Sequence, residues 1–240
     1  FCKRMKYRVI KNYVAPKLRK GKYICNQNYE ISKGMKRNKT NLFTYTFDKT
    51  KYSIYITLHY KDIEEYSIKL QKRIVNRLFN IFRFIKNNKR NILHISVYNI
   101  KNKKKFDSSG ILKACNVNSG YSEFLLERED YGIITLWRNE EILKVAIHEA
   151  IHSLYLDIDS TKIPYKIISE GIPLCVTISY SNINECNVEL WACILNCVYL
   201  SKDYKECLKF LEIERQWSCF QIAKIILYFN YKSPLHFFKK

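Results

Sequence analysis

No apolar run in this 240-residue chain approaches the roughly 18–20 residues that a bilayer-spanning helix needs, so no membrane span is expected. The opening residues, Phe1-Cys2-Lys3-Arg4, lack both an initiator Met and the apolar stretch of a secretory signal. They predict a fragment or a processed chain without a signal peptide. The nine cysteines form no C-x-x-C pair, so zinc-ribbon and thioredoxin-type readings fail. Their odd number predicts no disulfide framework and a reducing compartment, the cytoplasm. No internal repeat is present. Acidic residues are almost missing from residues 1–40: 13 Lys or Arg stand against Glu30 alone, a local excess of +12 within a net +20. Such a segment predicts contact with nucleic acid or another anionic surface. The chain is also rich in Lys, Asn, Ile and Tyr together, as an AT-rich genome dictates, and a solvated lysine surface needs no partner.

What is present suffices for a core, with 47% hydrophobic and 15% aromatic residues. Residues 1–40 are weakly patterned and broken by Pro16, Gly21 and Gly34. Residues 42–47 and 52–58 read as strands joined by a turn at 48–51. Asp62 and Glu65 make a capping-box pattern that opens a helix to about Asn87, with an apolar side from Ile68 to Ile85. Residues 92–98 form the next strand, on which His94 stands alone, with a core or surface role expected rather than ligation. A charged loop over 101–110 and a strand or hairpin around 115–126 follow. Residues 131–137 read as an edge strand rich in β-branched and aromatic types. Helical patterning covers 181–200, 203–213 and 216–230. These elements predict an α+β fold: a basic segment (1–40), an α+β half (41–158) and a mainly helical half (159–240).

The most specific signal is His148-Glu149-Ala150-Ile151-His152, which reads H-E-x-x-H. Asn139 is the expected N-cap of its helix, with Glu140 and Glu141 favouring the positive end of the dipole. Apolar residues from Ile142 to Leu154 predict a helix buried on several sides. Histidines four apart on a helix project from one face and reach a single Zn2+ at roughly 2.0–2.1 Å. Glu149 then sits where a general base is needed. The strand at 131–137 is expected to offer its edge to an extended peptide.

Such a zinc needs a third protein ligand and leaves one position for water. The metzincin spacing fails, because it puts Ile158 at the ligand position. Glu170, in Ser169-Glu170-Gly171, has a gluzincin-like spacing, but Pro173 one turn on disfavours the helix that such a ligand occupies. Glu185 and Glu189 lie four apart on a helix that Ser181 can cap; one would bind zinc and the other would orient a ligand histidine. Glu185 is the favoured ligand, Glu170 the alternative, and Glu189 the partner behind it. Cys193 and Cys197 share that helix and are expected to pack in the core.

The block Trp137 to His152 with Leu156-Asp157, preceded by Val117-Asn118-Ser119-Gly120 and followed by Glu185 to Ala192 with Asn196, resembles an uncharacterised group of predicted zincin-type metallopeptidases of large nucleocytoplasmic DNA viruses. The resemblance covers about residues 115–200. It implies a zincin-like, gluzincin-like fold, a zinc metallopeptidase acting on protein or peptide in a host cytoplasm, His148, His152 and Glu185 as ligands, and Glu149 as base. The chain departs from the group at Ser153-Leu154-Tyr155, where a glycine is more usual. Two rival readings follow from the same residues: an inactive zincin-fold binding protein, and a basic nucleic-acid-binding protein with a structural zinc.

Overall fold

The computed structural model describes residues 6–11, 39–46, 52–60, 68–85, 90–98, 100, 104, 118–123, 130–157 and 180–232. Among them are strands β1 (Lys6–Lys11), β2 (Lys39–Thr46), β3 (Ser53–Tyr60), β4 (Ile92–Tyr98), β5 (Gly120–Ser122) and β6 (Tyr131–Trp137), with helices α1 (Ile68–Phe84), α2 (Ile142–Ser153), α3 (Tyr180–Leu200) and α4 (Tyr204–Tyr228). The fold is α+β. The chain divides into two units, Phe1–Leu156 and Asp157–Lys240.

The first unit is built on a mixed sheet of order β1-β2-β3-β4-β6-β5. β3, β4 and β6 run parallel, and β2 and β5 flank them antiparallel. β1 pairs with β2, so part of the basic segment is built into the sheet. The expected edge strand, 131–137, lies inside the sheet instead, because β5 pairs with its far side.

Period-two alternation divides the sheet residues between two faces. Phe43, Tyr45, Ile54, Ile56, Leu58, Leu93, Ile95, Val97, Ile134 and Leu136 share one face, and all are buried. α1 covers it with Ile74, Val75, Leu78, Ile81 and Phe82. Gln71 hydrogen-bonds to the Tyr45 hydroxyl, and Tyr52 stacks on Phe82 at 4.5 Å. Ile68, expected on that apolar side, is exposed at the helix start. The capping-box residues Asp62 and Glu65 and the turn at 48–51 lie outside the described residues.

α2 packs on the same face and against α1. Its approach needs Gly132: a Cβ there would stand 2.9 Å from Ser153 Cβ and 3.0 Å from Ser153 O. The N-cap is Glu141 rather than Asn139, and no side chain caps it. The C-terminus closes as a Schellman motif, with Tyr155 N–H donating to His152 O and Leu156 N–H to Ile151 O. Tyr155 takes φ 51°, the left-handed region that glycine favours. Fully buried Arg90 holds this exit. It donates to Ser153 O at 2.7 Å and to the Tyr155 hydroxyl at 2.6 Å, with its guanidinium over the Tyr155 ring. A cation at a helix C-terminus also meets the negative end of the dipole.

The opposite sheet face is polar and aromatic. His59 stacks on Tyr98 at 4.1 Å, and His94 on Tyr55 at 4.8 Å with Tyr131 against its edge. His94 thus takes part in aromatic packing on this face. Burial pushes the His59 imidazole from 6.5 down to about 4 and lowers His94 in the same direction.

The second unit is helical among its described residues. Val188, Ala192 and Cys197 of α3 are buried, and α4 packs on α3. α3 begins at Tyr180, so Ser181 stands within the helix rather than capping it. α4 is continuous where two segments were expected. Glu212 accepts from Arg215 and Gln216, bridging the anticipated break at 214–215. Asp203 caps α4 by accepting from Glu206 N–H at 2.8 Å.

Two outcomes follow. Arg90→Met strips the donors from a buried carbonyl and lowers unfolding free energy by about 2–3 kcal/mol, read from the denaturant midpoint. His59 is neutral when folded and protonates more readily when unfolded, so its contribution is full above pH 6.5 and lost as pH falls toward about 4. About 3 kcal/mol should disappear across that window. His59→Phe should flatten this dependence in pH-resolved thermal or chemical unfolding.

Candidate metal centre

α2 is buried through Ile142, Ala146, Ile147, Ala150 and Ile151, which leaves one side of the helix for function. His148 and His152 occupy that side, half-buried, with ring centroids 5.0 Å apart and planes at 67°. The i, i+4 spacing alone explains their meeting. Glu149, the next residue round the helix, is 7% exposed and its Cγ lies against β5.

The contact with β5 depends on a missing side chain. A Cβ on Gly120 would fall 2.6 Å from Val145 Cγ1, 3.0 Å from Leu136 Cδ2 and 3.1 Å from Glu149 Cγ. The strand backbone can therefore press directly on the helix flank that carries Glu149. The ladder sets which way that backbone points. Trp137 N–H donates to Ser119 O at 2.8 Å, and Glu123 N–H donates to Ile133 O at 3.0 Å. Residues 119, 121 and 123 therefore turn their peptide groups toward β6, and Gly120 and Ser122 turn theirs to the far side of β5. Among the described residues, β5 is the edge of the sheet at this end.

Glu185 is exposed near the start of α3, and Glu189 is half-buried one turn later. Glu189 accepts from the Cys193 thiol at 3.7 Å, and Glu214 of α4 accepts from the same thiol at 3.6 Å. Cys193 and Cys197 therefore pack between helices, as expected of them. Asn184, the residue before Glu185, donates to Asp157 Oδ1 at 3.0 Å. That bond ties the first turn of α3 to the chain five residues beyond His152.

Among the described residues, His148, His152 and Glu185 are the group that could hold a metal: their ligand atoms all lie within 4.8 Å of one another. Donors on one Zn2+ at roughly 2.0–2.2 Å sit closer together than that limit, so these three would have to draw in to form a coordination shell. Two imidazoles and a carboxylate are also the donor types that zinc takes in sites with an open position. Glu170 lies outside the described residues, as does most of the basic segment. His59 and His94 belong to the far face of the sheet and not to this cluster.

Sequence reasoning quoted Gly120 without finding its role, and it missed Arg90. A glycine inside a strand pattern before a metal-type helix was the available signal for Gly120. Nothing in the local sequence marks Arg90, whose partners lie 63 and 65 positions away.

Gly120→Ala should force Val145 and Glu149 to shift. The expected cost is about 1–3 kcal/mol in chemical denaturation, with the helix content of α2 retained by circular dichroism. The chain matches no protein-family model, no curated protein and no solved structure.

Proposed function

We propose that this protein is a zinc-dependent peptidase of zincin-like, gluzincin-like architecture, with the metal held by His148, His152 and Glu185 and with Glu149 as general base. The observation that carries this reading is the pair of imidazoles on one side of an H-E-x-x-H helix, for which Glu185 is the candidate third donor. Bound there, Zn2+ supplies Lewis acidity that makes water acidic enough to lose a proton near neutral pH. Glu149 accepts the proton of the attacking water and delivers it to the leaving amine nitrogen. Its burial against β5 limits the positions its carboxylate can take. Glu189, one turn beyond Glu185, is assigned to orient a ligand histidine.

The substrate reading rests on β5. The outward peptide groups of Gly120 and Ser122 can add an extended chain to the sheet by main-chain hydrogen bonds. The same strand presses on Glu149, so a peptide docked on it would run beside the base. This supports protein or peptide as substrate. The resemblance to zincin-type peptidases of large DNA viruses points the same way. Among the described residues no helix is long and apolar enough to cross a membrane. Cys186, Cys193, Cys197, Cys207 and Cys219 are thiols rather than disulfides, which suits a reducing compartment such as the cytoplasm.

The test is metal analysis of the purified chain and its variants beside turnover of a peptide library. The wild type should hold one zinc per chain. His148→Ala, His152→Ala and Glu185→Ala should lose it, and Glu170→Ala should keep it. Glu149→Gln should retain zinc and lose about 10²–10⁴ in turnover. Full zinc in Glu185→Ala with loss in Glu170→Ala would overturn the ligand assignment. Undiminished turnover in Glu149→Gln would overturn the mechanism.

A further inference from the structure

Acidic residues avoid a second long stretch of this chain. Residues 66–106 hold 12 Lys or Arg and no Asp or Glu, while the whole chain has 22 acids. A bias toward lysine does not by itself remove acids. Five of those cations, Lys69, Lys72, Arg73, Arg77 and Arg83, stand on the 17 residues of α1. One side of α1 is packed on the sheet, and Arg77 is buried at its margin. The other side is a single stripe. Lys69, Lys72, Arg73, Asn76 and Asn80 follow i, i+3, i+4, i+7 and i+11, and so share one helix face. The first four are exposed; Asn80 is half-buried, with its side-chain amide donating to Asn76 O at 3.1 Å. Arg83 takes the next place in that register. Among the described residues, no acid pairs with Lys69 or Arg73.

We propose that this stripe docks on the phosphate backbone of a nucleic-acid duplex. Charge complementarity is the first argument: cations and amides without acids are what a polyanion requires. From Lys69 to Asn80 the stripe runs about 16 Å along the helix axis. Each strand of a duplex carries a phosphate about every 3.4 Å of its axis, so several lie within that span. What the stripe lacks selects among polyanions. A helix that lies in an anionic lipid surface inserts Trp, Phe or Leu. Ile68, 41% exposed in the first turn, is the one large apolar residue exposed on α1 among the described residues, and it stands off the stripe. Single strands are held by aromatic side chains on which bases stack, and the stripe has none. A duplex backbone needs neither feature. The contact is independent of base sequence and of the metal reading, and it lies outside residues 1–40.

Fluorescence anisotropy of a labelled DNA duplex of about 20 base pairs, titrated with the full-length chain, tests the proposal, with circular dichroism to check folding. The wild type should bind duplexes of unrelated sequence alike, and ever more weakly as salt rises. The double variant Lys69→Glu with Arg73→Glu, at exposed positions, should raise the duplex Kd about tenfold or more. The milder pair Lys69→Gln with Arg73→Gln should lower the slope of log K against log salt by about two. A wild type that binds no duplex at low salt, or a Kd and slope unchanged in both double variants, would overturn the proposal. So would tighter binding to a single strand of the same length, or retention on phosphatidylserine vesicles by a chain that ignores the duplex.

Discussion

The close approach of α2 to the sheet is the constraint on which the rest depends. Helices and sheets usually stack about 10 Å apart, with side chains filling the gap. Here two strand positions carry no side chain where α2 comes nearest. Gly132 makes room for the last turn at Ser153, and Gly120 makes room for Val145 and Glu149. Arg90 then holds the C-terminal exit from below. Held at both ends, the helix has little freedom to roll, and the direction of each side chain becomes a property of the whole unit. His148 and His152 are left half-buried on the open side, and Glu149 is pressed toward β5. The pairing of metal-type donors with a separately held carboxylate follows from that packing.

The same sheet divides the described histidines into two chemical kinds. His59 and His94 are flat partners for tyrosines on the far face, and burial favours the neutral form of both. They add packing surface at neutral pH and become a liability in acid. His148 and His152 stand edge to face across one helical turn. Composition alone treats all of these residues alike. The difference lies in whether a ring is enclosed by aromatic neighbours or left beside other donors.

Much of the fold was legible in the sequence where local pattern and burial agree. The strands at 92–98 and 131–137 stand at the expected bounds, because their alternation matches a two-faced sheet. α2 differs at its start, where Glu141 takes the cap position expected of Asn139. The error at β6 was one of topology. A seven-residue run of β-branched and aromatic residues does not reveal that a three-residue strand will cover its other side. In the second unit, the break expected near residue 215 is bridged by hydrogen bonds to Glu212, whose geometry appears only once the helix exists. Tyr155 is the informative departure. A glycine is the usual residue there, and the chain keeps the left-handed exit by setting the tyrosine ring under Arg90, 65 residues earlier.

By itself the sequence determined the histidine pair, the adjoining carboxylate and the helix that carries them, because a spacing of four on an α-helix is local geometry that no distant residue alters. It also left a few glutamates as candidates for a third donor. Only the tertiary structure decided that β5 and not β6 forms the sheet edge beside Glu149, and that Arg90 secures the helix exit. Each of these depends on contacts between residues tens of positions apart, and such contacts are settled by which surfaces can be buried together rather than by any local pattern.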